Sequence, residues 1–302
     1  MPQLTAPSLR DLFSYAGGLI AQSPIFGSIA SNRSPAVSNI SPYEPCSGAP
    51  SCPIDGPISC HNSTPIADPD SCCFVYPGGR MLLTQFWDEQ VHAGGAEEDW
   101  TLHGLWPDLC DGGYDQFCHM TPQYRNITSV LEHYGRADLV KLMNRYWLAA
   151  SGPNSYLWEH EFNKHATCIN TLAPRCYGDS HTPGLEVVDY FSRAMALFQM
   201  LDTYHALERA GIVPHPRKHY PLADVQKALE AYSGGKVVLR CGGHRNILHE
   251  AWYAYFVKGS LQTGDFVPAK DLAKEGDAGN CAPWIKYLPK KRRGILSSWS
   301  GL

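Results

Sequence analysis

Leu157-Trp158-Glu159-His160-Glu161-Phe162-Asn163-Lys164-His165-Ala166-Thr167-Cys168 gathers two histidines, two glutamates and a lysine among aromatic side chains. Read as a helix, it sets Glu161 and His165 four residues apart on one face, with His160 and Lys164 four apart on the neighbouring ridge. Trp158 and Phe162 fall beside Glu161 and His165, so a carboxylate and an imidazole are held against the aromatic, core-facing side. Burying such groups is costly without a partner or a use. The plain alternative is a surface helix whose charges pair with one another. A zinc-protease helix needs two histidines four apart, facing one ion. His160 and His165 are five apart, about 140° round a helix, so the spacing predicts no metal site.

Some fifty residues upstream runs Trp100-Thr101-Leu102-His103-Gly104-Leu105-Trp106-Pro107-Asp108. A lone histidine between apolar residues is usually a satisfied core residue, and this stretch alone carries little. With the downstream segment it supplies a second imidazole beside a glutamate, a lysine and a further histidine. Histidine, with an ordinary pKa of ~6.5, can both take and give a proton near neutrality. A lysine and another imidazole can stabilise developing negative charge. That set suits phosphoryl transfer from RNA, where the neighbouring 2′-hydroxyl is the nucleophile and no metal or other cofactor is required.

The rest of the chain sets the context. It has 302 residues, 44% apolar and 18% charged, with 16 Tyr and eight Trp on which bases could stack. No apolar run reaches the ~20 residues of a membrane helix, so no membrane partner is expected. Eleven cysteines, none in a C-x-x-C pair, point to a disulfide framework and an oxidising compartment rather than zinc or dithiol redox chemistry. Asn62-Ser63-Thr64 and Asn126-Ile127-Thr128 are glycosylation sequons. The N-terminus makes a poor signal peptide: Arg10 is the only early base, and Ser14, Gly17 and Gly18 interrupt the apolar stretch. The formal charge is −4, but protonation of the 13 histidines would turn the chain basic while its carboxylates stay ionised.

Residues 1–45, rich in Ser, Pro and Ala, read as a leader or disordered lead-in, residues 46–287 as one domain, and residues 288–302, with Lys290-Lys291-Arg292-Arg293, as a solvated basic tail. Strands are expected at 81–87, 236–241 and 252–257. Helices are expected at 137–147, at 186–210 stopped by Gly211, and from Leu222 to Tyr232 closed by Gly234-Gly235. Helices and strands mix without regular alternation, which indicates an α+β fold.

The two histidine segments, in this order and at this separation, resemble the two active-site segments of the ribonuclease T2 family, the acid ribonucleases of fungi, plants and animals. Ten of the cysteines resemble the pattern of the fungal members, and the likeness covers about residues 46–287. It implies helices packed on a central antiparallel sheet, and the pairs Cys52–Cys73, Cys60–Cys110, Cys72–Cys176, Cys118–Cys168 and Cys241–Cys281. It implies His103 and His165 as catalytic histidines, Glu161 as the catalytic carboxylate, and His160 and Lys164 as holders of the phosphate and its transition state. It places Trp106, Asp108 and Tyr114 at the base on the 5′ side of the cut, and Gln85 and Leu157 near a second base site. Ala166 stands where many members have glycine, and Cys46 has no partner in the pattern.

What the resemblance implies is an endoribonuclease that cuts single-stranded RNA, not DNA, with low base specificity. His165 would take the 2′-hydroxyl proton and His103 would protonate the departing 5′-oxygen. The resulting 2′,3′-cyclic phosphate would then open to a 3′-phosphate. A monomer, secreted or vacuolar, is expected. Two rivals stay open: a catalytically silent RNA-binding protein on the same fold, and a metallohydrolase built on His160, Glu161 and His165.

Overall fold

A computed structural model describes residues 43–61, 70–92 and 95–291. In chain order the elements are β1 (Arg80–Phe86), β2 (Thr101–Asp108), α1 (Ile127–His133), α2 (Ala137–Tyr146), α3 (Asn154–Lys164), α4 (Leu185–Met200), α5 (Thr203–Arg209), β3 (Tyr220–Pro221), α6 (Leu222–Ser233), β4 (Val237–Gly242), β5 (Ile247–Lys258), β6 (Asp265–Pro268) and β7 (Trp284–Ile285). The main sheet is antiparallel, in the order β2-β1-β5-β4, with β6 pairing β5 beyond the end of β4. Strands β3 and β7 form a separate small ribbon.

The sheet's two faces differ. Met81, Leu83, Leu102, Leu105, Val237, Tyr253 and Val257 join Trp158, Phe162, Tyr190 and Phe191 in the main core under the helices. On the other face Leu82 pairs with Trp106 and Ala254, and Trp106, Trp252 and Phe256 pack there half-buried. Strand β1 lies between β2 and β5 and is buried along nearly its whole length, its polar Arg80, Thr84 and Gln85 included. Helix α4 is buried round most of its circumference and forms the floor of the core.

The 186–210 segment is not one helix. It breaks after Met200, and Asp202 caps a new helix by accepting the His205 N–H at 3.1 Å. A short acid before Thr203 offers the backbone a better end than continuation does. Helix α6 does close at Gly234, whose φ of 74° suits glycine.

The boundaries at 45 and 288 cut into the folded body. The Tyr43 hydroxyl donates to the Gln262 carbonyl at 2.8 Å, and the Cys46 N–H donates to Asp189 Oδ1 at 2.9 Å. Lys290 is buried, its ammonium 4.5 Å from the Trp87 ring centre, and the Lys291 N–H donates to the Glu89 carbonyl. Lys290 and Lys291 are therefore tied to the folded body. Arg292, Arg293 and the Asn62 sequon lie outside the described residues, whereas Asn126 is exposed at the start of α1.

Disulfides join Cys52–Cys73, Cys60–Cys110, Cys72–Cys176, Cys118–Cys168 and Cys241–Cys281, the pairs implied by the resemblance. Cys46 is the free cysteine among the described residues.

Candidate active site

The site forms where the last turn of α3 and the turn that follows it meet β2, an edge strand of the main sheet. His103 sits at a bulge. Thr84 pairs with Gly104 and Gln85 with Leu102, which leaves His103 as the extra residue on β2. A bulge re-aims a side chain that strict alternation would send elsewhere. Leu102 and Leu105 both enter the main core, while the His103 ring stacks on Phe86 at 4.3 Å and meets Trp106 edge-on at 4.8 Å. Thr84 Oγ1 braces the bulge, accepting the Gly104 N–H at 3.1 Å. Trp147 Nε1 fixes His103 from behind by donating to its carbonyl at 2.6 Å.

Glu161 reaches this point from the last turn of α3 and is wholly buried. Its Oε2 accepts the Trp106 indole N–H at 2.8 Å, and its Oε1 lies 3.7 Å from His103 Nε2. Glycine is required at 104, because a Cβ there would overlap the Glu161 carboxylate and lie 2.5 Å from Trp106 Nε1. Two buried polar atoms, Glu161 Oε1 and His103 Nδ1, have no hydrogen-bond partner. Such atoms in a native core mark a place where a ligand or a moving proton belongs.

The helix ends at Lys164, so His165 begins a tight turn instead of continuing the wheel. Its ring stacks on Trp106 at 5.1 Å. The Cys118–Cys168 disulfide and a hydrogen bond from the Phe117 N–H to the Lys164 carbonyl tie this turn down. His160 is exposed and Lys164 half-buried at the rim, and the His160 ring lies 6.4 Å from that of His165.

Burial dominates the electrostatics. It pushes Glu161 up from 4.5 to about 8, against the pull of the Trp106 hydrogen bond and Lys164. It pushes His103 down to about 4, with His160 and Lys164 adding to the effect. His165 falls to about 3 through burial and then the positive Lys164. The empty cleft thus favours a neutral carboxyl and two neutral imidazoles. A phosphate entering it would supply the missing negative charge and favour an imidazolium.

The end of α3 alters one expectation. Because His165 leaves the helix, ligating atoms of His160, Glu161 and His165 come within 4.8 Å of one another despite the five-residue spacing. A zinc ion holds its nitrogen and oxygen ligands ~3.3 Å apart. The Glu161 oxygen nearest Trp106 is already committed to the indole. Glu161 Oε1 is left free, so the three groups form a cluster able to offer a cation two nitrogens and one oxygen.

The base-reading residues divide. Trp106 shares its ring with His165 and its N–H with Glu161, so it belongs to the proton-transfer cluster as well as to any base pocket. Asp108 is 7% exposed, and Tyr114, 59% exposed, bridges to it through the backbone. Leu157 is half-buried against the core. Gln85 is a correction: it is wholly buried, donates to the Leu201 carbonyl and accepts from Thr203 Oγ1, so it faces the core and is out of reach of a base in the cleft. Alternation along β1 puts Phe86, not Gln85, on the cleft face, where it also lies 5.3 Å from His249. Sequence reasoning missed Phe86, His249 and Trp147; the end of a strand next to a catalytic strand was the available signal for Phe86.

Comparison with known proteins agrees with this geometry. The family model described as "Ribonuclease T2 family" matches residues 78–270. "Ribonuclease T2" of Aspergillus oryzae is 46% identical over 252 residues, covering 83% of this chain and 88% of that protein. A "Ribonuclease T2-like" protein of Aspergillus fumigatus is 47% identical across 78% of this chain but only 56% of its own length, so this chain spans about half of that longer relative. The crystal structure of Actibind, titled a T2 ribonuclease, superposes with a TM-score of 0.71 at 39% identity, over 82% of this chain and 99% of that one. With the two histidine segments folded into one cleft and the five disulfides in place, the chain belongs to the ribonuclease T2 family.

Proposed function

We propose that this ribonuclease cleaves single-stranded RNA in two proton-coupled steps carried by His103, His165 and Glu161. In the first, one imidazole takes the proton of the ribose 2′-hydroxyl. The 2′-oxygen attacks phosphorus, and the other imidazole protonates the leaving 5′-oxygen. In the second, water opens the 2′,3′-cyclic phosphate with the roles exchanged, leaving a 3′-phosphate. By the family resemblance His165 is the first base and His103 the first acid. Lys164 and His160 at the rim offset the charge that builds on the phosphoryl oxygens. Glu161, 3.7 Å from His103, supports the imidazolium that forms when RNA is bound.

The observation that carries this reading is the convergence of two imidazoles, His103 half-buried and His165 buried, on the Trp106 ring, with unpartnered Glu161 Oε1 and His103 Nδ1 between elements distant in sequence. Both imidazoles are depressed by burial, so the imidazolium needed as the acid forms in mild acid only with the negative charge of a bound phosphate beside it. Five disulfides and an exposed Asn126 sequon support export to a secreted or vacuolar destination.

The test is incubation of purified protein with single-stranded RNA in chelator, followed by identification of the ends. Cyclic phosphates appearing before 3′-phosphates are expected, with DNA and 2′-O-methyl RNA left whole. Cleavage of either, or activity that returns only on adding zinc, refutes the mechanism.

A further inference from the structure

Asp108 ends β2 opposite Arg80, its register partner on β1. The expected result of that pairing is an ion pair between them, but Arg80 is engaged elsewhere. Its Nη2 donates to Asp277 Oδ2 and to the Asp271 carbonyl, both on the loop that follows β6. All three groups are buried: Arg80 is 2%, Asp277 5% and Asp108 7% exposed.

Two buried carboxyls thus lie near one guanidinium, whose hydrogen bonds go to Asp277 and not to Asp108. Leaving both ionised would bury a net negative charge, and the cheaper state places a proton on one of them. The hydrogen bonds decide which. Asp277 Oδ2 accepts from Arg80 and from the Ala273 N–H at 2.6 Å. Among the described residues the Asp108 carboxyl accepts no hydrogen bond, so the proton falls to Asp108. Burial first, then Asp277, pushes Asp108 up to about 7, with Arg80 opposing.

The charged side chains facing Asp108 are Arg80 from β1 and Asp277 from the loop. Tyr114 reaches it through backbone alone, and Asp111 is turned to the Gly113 N–H. The loop cannot easily withdraw. The Glu275 N–H donates to the Asp111 carbonyl at 2.7 Å, and Gly112 and Gly276 meet backbone to backbone, leaving no room for a side chain on either.

We propose that Asp277 is a specificity-determining positioning residue: by occupying the Arg80 guanidinium that strand pairing would otherwise offer to Asp108, it leaves Asp108 a neutral carboxylic acid in mild acid, so that the 5′-side pocket selects adenine there and turns toward guanine as the medium becomes alkaline. The chemistry is one of complementary edges. A carboxylic acid offers one donor and one acceptor, which matches adenine's amino group and adjacent ring nitrogen. A carboxylate offers acceptors only, which matches guanine's N1–H and N2–H₂ edge. The inference rests on Asp108 reading the base, as the family likeness implies.

The experiment compares kcat/KM for ApU, GpU and UpU from about pH 5 to about pH 8. In the wild type the ApU-to-GpU ratio should fall about tenfold across that range, the discrimination one bidentate pair supplies. Asp277→Asn removes the opposing charge, so the low ratio should already hold at the acid end, and Asp277→Glu should restore the wild-type dependence. Asp108→Asn, whose amide mimics the neutral acid, should keep its preference for adenine at every pH. A wild-type ratio that stays constant with pH while UpU is cut normally overturns the proposal and needs no variant to fold. A wild-type dependence retained by Asp277→Asn overturns it as well. Failure to cut UpU along with the other dinucleotides would instead sink the ribonuclease mechanism.

Discussion

Replacing Glu161 by Gln separates what the buried carboxyl does for stability from what it does for catalysis. Burial raises this group from 4.5 to about 8 in the folded protein. The folded state therefore prefers the protonated carboxyl. Its stabilising contribution is complete below pH 4.5 and drains away as pH rises through about 8. At ~1.4 kcal/mol per pH unit the total swing is at most about 5 kcal/mol, and structural relaxation or water entry would lower it to a few. Glutamine is the uncharged isostere. Its carbonyl can accept the Trp106 N–H as Oε2 does, and its amide occupies the place of the unpartnered Oε1. The variant should match the wild type in stability at about pH 4.5 and exceed it by ~2–4 kcal/mol at about pH 8. Turnover should fall ~10²-fold or more, because an amide cannot support an imidazolium as a carboxylate can. Denaturant unfolding of both proteins at three pH values, disulfides intact, is the measurement. Parallel curves at all three would show that the carboxyl is not raised, and the argument from burial would be wrong.

Other perturbations test neighbouring parts of the site. His103→Ala and His165→Ala should each cost ~10²–10⁴-fold in kcat with RNA binding retained, as read by single-turnover cleavage and equilibrium binding. Gly104→Ala forces a methyl into the Glu161 carboxylate, so it should destabilise by ~1–3 kcal/mol and cut activity, measured by thermal unfolding and turnover. Removing the Cys118–Cys168 bridge, which closes a separation of 50 residues, should cost ~2–4 kcal/mol and loosen the turn carrying His165, so activity should fall before global unfolding in a thermal ramp.

Much of this was legible from local pattern. The buried strand at 81–87, the helix at 137–147 and the Gly234 stop follow from periodicity and turn chemistry, and the structure has them within a residue or so. What failed was set by partners distant in sequence. The bulge at His103 exists only in the pairing of β2 with β1, so no reading of 100–108 alone reveals where the imidazole points. The meeting of His160 and His165 depends on a helix that ends at Lys164, and helix ends are the least certain feature of a periodic segment. The competition of Asp277 for Arg80 joins residues 197 apart in the chain, beyond any spacing argument.

The cleft must hold its geometry while protons move through it, and the groups that hold it meet that need. Trp147 donates to the His103 carbonyl, Trp158 to the Trp147 carbonyl, and Tyr190 to the Leu105 carbonyl, joining β2, α2, α3 and α4 behind the site. Indoles do not titrate in this range, and burial holds the Tyr190 phenol protonated. The groups expected to change charge, His103, His165 and Glu161, lie in front of this layer, and those whose hydrogen bonds fix their distances lie within it. A charged residue in the supporting layer would move with pH just as the reacting groups do. An aromatic donor supplies one directional hydrogen bond and a large buried surface and has no second state to adopt. The titrating cluster can therefore pass through neutral and charged forms in each turnover without its backbone having to follow.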